Sequence, residues 1–224
     1  VRADELQKRL VNWTVANSGH DERRHYIGLS GIGDCPRQIY DRYFQGQRAS
    51  VERHLLTRLS YEIESDLVGR LHQMGICSAI LPSESQVALA YDGLVQGHVD
   101  AMTRDGDLVE IKTVALEDHI PERLPRRVYW QVQAYMHYLK CKRQDCRWTH
   151  VVYLARQSGL VKVIPVRYSP EMGARVEAKV KRLVVAVRDV ARPECECGKC
   201  SANESANKSA NKVGGGDGDG VDLR

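Results

Sequence analysis

Apolar residues first recur with a helical period over residues 3–17, where Leu6, Leu10, Val11 and Val15 share one face. A glycine-punctuated segment follows (Gly28, Gly31, Gly33) and leads into Cys35-Pro36-Arg37, from which a short helix is predicted to Phe44. Ser50 is a suitable N-cap for a long helix to about Met74, closed by Gly75. Its apolar positions 55, 56, 59, 63, 67, 71 and 74 keep helical spacing. The period then drops to two. Residues 84–90, 93–102 and 107–114 predict an antiparallel meander joined at Tyr91-Asp92-Gly93 and Arg104-Asp105-Gly106, both with turn chemistry. A second helix is predicted across 126–140, strands at 148–155 and 160–167, and a helix at 170–190. This order predicts an α/β fold, a mixed sheet flanked by helices, with no glycine-rich phosphate loop at any strand end. From residue 201 the chain reads SANE-SANK-SANK and then GGGDGDG. Such residues bury too little apolar surface to offset ordering entropy, so 201–224 is expected to be a disordered low-complexity tail behind a folded domain of residues 1–200.

The 224 residues are 42% hydrophobic and 28% charged, enough to bury a core without disulfides. The net charge of +4 is too mild to prove a polyanionic partner. Apolar runs such as Leu183–Val187 fall far short of a membrane span. Asp4, Glu5, Lys8 and Arg9 stand where an export signal needs apolar residues, so an unexported, cytoplasmic protein without a membrane partner is expected. Seven cysteines are present, and Cys195, Cys197 and Cys200 crowd together. In an unexported chain that crowding points to metal ligation rather than disulfides. Cys77, Cys141 and Cys146 read as buried or incidental thiols.

The segment with chemical content is Gly97-His98-Val99-Asp100, followed ten residues later by Glu110-Ile111-Lys112-Thr113. Side chains i and i+2 of a strand share a face, so Glu110 and Lys112 point together while Ile111 faces the core. The turn at Asp105-Gly106 brings Asp100 onto the neighbouring strand. Two carboxylates converging with a lysine suit a hard divalent cation such as Mg²⁺. Taken alone, the same pattern also fits a solvated hairpin. On the helix that follows, Gln131 and Tyr135 are four residues apart and share a face. They could bind a phosphate, a base edge or the lysine, or they could simply pack.

Asp100, Glu110-Ile111-Lys112 and the Gln131…Tyr135 pair together resemble the motifs of the PD-(D/E)XK nucleases, specifically the RecB-like exonuclease branch with its Q-x-x-x-Y helix after the E-x-K strand. Val99 stands where the motif has proline, which removes no ligand. The resemblance implies a restriction-endonuclease-like core and a deoxyribonuclease dependent on Mg²⁺ or Mn²⁺. It implies hydrolysis of DNA from free ends with a preference for single strands. Glu64, Asp100, Glu110 and the Ile111 carbonyl would hold the metal, Lys112 would position or activate water, and Gln131 and Tyr135 would secure the site. The branch usually carries a histidine on the helix before the strands. Here that turn reads Tyr61-Glu62-Ile63-Glu64, so a glutamate stands in for it. At about 100° per residue, Glu64 borders the apolar stripe between Val68 and Leu71, whereas Glu62 lies at the far border beside Leu55. Glu64 is therefore the expected ligand, and a solvent-facing acid is the plain alternative. His72 is expected to pack or to face solvent.

Cys35-Pro36-Arg37 resembles the start of the iron–sulfur nucleases, including those of CRISPR adaptation. In those proteins one early and three late cysteines hold a four-iron cluster, which implies ligation by Cys35, Cys195, Cys197 and Cys200. The late spacing C-x-C-x-x-C is tighter than the usual arrangement, so a Cys₄ zinc site or an empty site remains open. Arg23, Arg24, Arg37, Arg42, Arg123, Arg126 and Arg127 offer phosphate contacts, and Tyr129 or Trp130 could stack on unpaired bases. Two other readings stay in view: a structure-specific or restriction-type endonuclease, and a non-catalytic, metal-stapled DNA-binding module. No protein partner follows from the sequence.

Overall fold

In the computed structural model, the period-two segments form two sheets rather than one meander. The structure describes residues 25–45, 51–78, 86–91, 93–142, 146–197 and Cys200, together with the isolated positions Glu5, Lys8 and Arg9. The rest of the 3–17 helix, Arg23 and Arg24, the Ser50 cap, Asp92 of the first turn, the Cys141 side chain and the tail 201–224 lie outside the described residues.

The elements in chain order are β1 (Ile27–Gly28), a 3₁₀ turn (Leu29–Gly31), α1 (Pro36–Gln45), α2 (Val51–Gln73), β2 (Gln86–Ala90), β3 (Val95–His98), β4 (Ala101–Met102) and β5 (Leu108–Val114). A second 3₁₀ turn (Glu117–His119), α3 (Arg126–Lys142), β6 (Trp148–Ala155), β7 (Val161–Arg167) and α4 (Pro170–Arg188) complete them. The main sheet has the order β4-β5-β6-β7. β5 and β6 are parallel, because α3 crosses between them, and the outer pairs are antiparallel. The smaller sheet has the order β1-β3-β2, with β1 parallel and β2 antiparallel to β3. The fold is therefore α/β with a mixed sheet flanked by helices.

The predicted strand 93–102 is the main correction. It breaks at Val99-Asp100 into β3 and β4, which belong to different sheets. Asp100 Oδ2 accepts the Ile111 backbone N–H at 2.6 Å. A side-chain oxygen thus stands in for a backbone carbonyl where the chain changes sheets. The final helix also stops at Arg188, two residues short of its predicted end, with Val190 in the left-handed region at φ 52°.

β5 is buried on both faces. Val109 and Ile111 join Ala101, Cys77 and Val152 in a small core under Leu67, Val68 and Leu71 of α2. The larger core packs Val132, Tyr135 and Met136 of α3 against Val176, Val180 and Leu183 of α4, together with Ile27, Leu29 and Val95. At Gly97, an added Cβ would lie 2.6 Å from the Tyr135 ring, so glycine lets α3 approach β3 this closely. The long apolar stripe predicted for α2 is buried only in part. Leu55, Leu56 and Leu59 are exposed, since the apolar packing of the helix on β5 is made by Leu67, Val68 and Leu71. Among the described residues, no helix is long and apolar enough to cross a membrane.

Candidate active site

The shared parity of Glu110 and Lys112 on β5 places both side chains on the α3 side, where Gln131 and Tyr135 meet them. Glu110 is 3% exposed. Its Oε1 accepts from Lys112 Nζ at 2.5 Å and from Gln131 Nε2 at 2.7 Å. Gln131 Nε2 also donates to Tyr135 Oη at 3.0 Å, the i,i+4 contact that their spacing predicts. Glu110 Oε2 is buried and has no hydrogen-bond partner. These four side chains line a cleft of about 370 Å³ together with Glu64, Asp100 and Ile111. Glu62 is exposed and is not part of the lining. His72 is exposed as well, its Nδ1 3.2 Å from the Cys77 carbonyl oxygen.

Burial, and after it the crowding of acids, governs the electrostatics. Burial, and then the Asp100 charge, push Glu64 up to about 7 against the pull of Lys112. Burial and Asp100 likewise raise Glu110 to about 8, with Lys112 again opposing. Asp100 is raised by burial despite the Ile111 N–H and Lys112. Burial pulls Lys112 down, but Glu110, Asp100 and Glu64 outweigh it and the ammonium is raised above its usual range. Tyr135 is held well above the ordinary phenol value by burial and by Glu110. Three carboxyl groups facing one ammonium leave the site short of positive charge. The orphaned Glu110 Oε2 is a ready ligand atom, so the donor set fits a hard divalent cation.

The sequence reading missed Gln96 and His98, which line the same cleft from β3, and Tyr61, which lines it from α2. Gln96 and His98 are two apart on a strand, so the parity that pairs Glu110 with Lys112 could have found them. Tyr61 carried no comparable signal.

The expected nucleic-acid contacts fare unevenly. Trp130 is 8% exposed, with Lys179 Nζ 5.0 Å and the Arg175 guanidinium 5.8 Å from its ring centre. It packs under cations and offers no face to a base, which corrects its assignment as a stacking platform. Arg127 Nε lies 3.3 Å from Asp34, and Arg42 pairs with the same carboxylate at 2.6 Å. Arg126 and Arg123 are exposed, while Arg37 and Tyr129 are half-buried.

The four cysteines meet at a second place. Sγ atoms of Cys35, Cys195, Cys197 and Cys200 all lie within 4.8 Å of one another. Cys35 sits just before α1. Burial raises its thiol, but backbone N–H groups of Glu196, Arg37 and Gln38 outweigh that and lower it. The Cys200 and Cys197 N–H groups pull Cys195 down to about 6. Arg182 holds Glu196 at 3.0 Å, and Arg192 holds Asp41 of α1 at 2.7 Å, so the segment after α4 is tied back to both helices. Cys77 and Cys146 are buried elsewhere.

No protein-family model matches the chain, and no curated protein does. Solved structures do. The exonuclease LHK-Exo in complex with dAMP matches with a TM-score of 0.56 at 12% identity, over 90% of this chain and 98% of that one. The same alkaline exonuclease from Laribacter hongkongensis, in a second structure, gives 0.50 at 13% identity over the same shares. SSO0001 gives 0.51 at 14% identity, over 80% and 86%. At such identities the likeness is one of fold, and over nine-tenths of its length this chain is similar in fold to an alkaline exonuclease.

Proposed function

We propose that the chain is a divalent-metal-dependent deoxyribonuclease of the RecB-like PD-(D/E)XK kind, acting on DNA from free ends with a preference for single strands. The observation that carries this reading is the buried, partnerless Glu110 Oε2 in a cleft shared with Asp100, Glu64 and Lys112. Glu64, Asp100, Glu110 and the Ile111 carbonyl would hold Mg²⁺ or Mn²⁺. When bound, the cation would supply Lewis-acid charge at the scissile phosphate.

The protein's own groups do the rest. Lys112, whose ammonium Glu110, Asp100 and Glu64 raise against the pull of burial, would position or activate the attacking water or steady the phosphate oxygens. Gln131 bonds Glu110 and Tyr135 through one amide nitrogen, which fixes the orientation of the Glu110 carboxylate in the cleft lining. Tyr135 remains a neutral phenol and can donate its proton to a substrate oxygen. Asp100, anchored on the Ile111 N–H, has a set orientation before any substrate arrives. Tyr61, 62% exposed beside the cleft, supports a single-strand preference because it offers a face to an unpaired base. Arg126 and Arg123 can contact phosphates from the surface, whereas Arg37 and Arg127 would need to leave present partners. A reducing, cytoplasmic setting suits cysteines that form no disulfide among the described residues.

Digestion of end-labelled single- and double-stranded DNA, with circular DNA as control, tests this. Cleavage of linear single strands with Mg²⁺ or Mn²⁺ and none with EDTA is expected. Cutting of circles would favour the endonuclease reading, and binding without cutting in either metal would overturn the enzyme.

A further inference from the structure

We propose that Cys35, Cys195, Cys197 and Cys200 hold a single zinc ion rather than a four-iron cluster. The argument is one of size. Cys195 and Cys197 sulfurs stand 3.5 Å apart, Cys197 and Cys200 sulfurs 3.4 Å, and all four lie within 4.8 Å. A tetrahedral ion with Zn–S bonds of about 2.3 Å sets its sulfurs about 3.8 Å apart. In a four-iron cluster each thiolate bonds a different iron, with inorganic sulfides filling the space between. Its four cysteine sulfurs must therefore stand farther apart than the ligands of one ion. The quartet here encloses room for an ion and not for a cluster.

Two further features fit a closed tetrathiolate site. Backbone N–H groups of Arg37, Gln38 and Glu196 bond the Cys35 sulfur, and those of Cys197 and Cys200 bond the Cys195 sulfur. Such donors orient sulfur ligands and offset their charge. Lys179 is 7% exposed, with Nζ bonded to the Asp34 carbonyl at 2.5 Å. Burial pulls its ammonium down while Glu196 and then Cys35 oppose that, and the two surplus negative charges of a zinc tetrathiolate would add to their pull. All four positions on the ion are taken by protein, so the site is structural. It joins the start of α1 to the chain after α4, and it reaches α3 through Gly33. There an added Cβ would lie 2.8 Å from the Arg127 backbone. This proposal does not depend on the nuclease reading.

The full chain, purified anaerobically without added metal, is the material for the test. Elemental analysis is expected to find about one zinc per chain in a colourless protein, and Co²⁺ exchange should give the intense thiolate-to-metal absorption of a tetrahedral sulfur site. Anaerobic incubation with ferrous iron and sulfide should leave the zinc in place. Cys197→Ser, at an exposed position, should lose most of the zinc, whereas Cys146→Ser should keep it. About four iron per chain with a brown colour, or displacement of zinc by iron and sulfide, overturns the proposal. So does a metal-free wild type in which all four thiols react as fast as those of the unfolded chain.

Discussion

Asp100, Glu110, Gln131 and Tyr135 of the carboxylate cleft come from 36 consecutive residues, whereas the cysteine quartet joins Cys35 to a segment that begins 160 residues later. The two places also differ in what positions the ligand atoms. In the cleft, regular structure does it: strand parity sets Glu110 beside Lys112, and helix periodicity sets Gln131 beside Tyr135. At the quartet, three of the four thiols lie past the end of α4, and ion pairs and backbone N–H groups hold them. The first arrangement leaves an acceptor atom unsatisfied and a cleft open to substrate. The second closes four soft ligands on one another. An open oxygen site suits turnover, and a closed sulfur site suits cross-linking.

Removing the lysine should break the open site without touching the closed one. Lys112→Ala is expected to lower the cleavage rate by roughly 10²–10³-fold or more, the scale for losing one charged group at a developing anion. Folding and DNA binding should stay largely intact, and zinc content should be unchanged. A variant cleaving at the wild-type rate would remove Lys112 from the chemistry.

The converse change is Cys35→Ser. It opens the longest loop the quartet closes and should lower stability by about 3–5 kcal/mol in the loop-closure picture. Cys146→Ser should melt several degrees higher than Cys35→Ser. Coincident melting curves would mean that the quartet ties nothing together.

These two places were unequally legible in the sequence. Glu110, Lys112, Gln131 and Tyr135 could be read because two residues on a strand, or four on a helix, already decide which side chains are neighbours. Long-range packing decides the rest. Trp130 has the composition of a stacking residue, but α4 brings Lys179 and Arg175 over its ring, which no local pattern announces. The break at Val99-Asp100 was hidden because a carboxylate capping a backbone N–H leaves the alternation of strand residues intact. Leu55, Leu56 and Leu59 keep perfect helical spacing yet stay exposed, since periodicity does not say where the covering sheet ends.

Gly97→Ala probes the close approach that holds Tyr135 in place. The added methyl meets the ring at 2.6 Å and the Leu29 side chain at 3.2 Å, so overpacking of about 1–3 kcal/mol is expected, with a fall in activity beyond the loss of stability. Wild-type melting and activity would show that the ring shifts freely.

Glu64→Gln should raise the Mg²⁺ concentration for half-maximal activity by about tenfold, equivalent to losing about 1.4 kcal/mol of metal binding, whereas Glu62→Gln should leave it unchanged. The structure motivates the difference, since Glu64 lines the cleft and Glu62 faces solvent. Equal effects would remove Glu64 from the metal site.

The smallest expected effect separates the cleft from the quartet by pH. Both carboxyl groups start from an ordinary value of 4.5, and the fold raises Glu64 to about 7 and Glu110 to about 8. Between the unfolded and folded values, the native state holds more protons than the unfolded chain. Stability of the Mg²⁺-free protein therefore falls as pH rises through that window, because folding must then confine ionised carboxylates beside Asp100. A divalent cation in the cleft neutralises them, so Mg²⁺ should raise the melting temperature by a few degrees more at about pH 8.5 than at about pH 6. The Glu110→Gln variant should lose most of that difference, whereas Cys197→Ser should retain it. Melting curves of the three proteins at both pH values, with and without Mg²⁺, measure this directly. A Mg²⁺ shift that is larger at the lower pH, or one that survives in Glu110→Gln, would place the cation somewhere other than on Glu110.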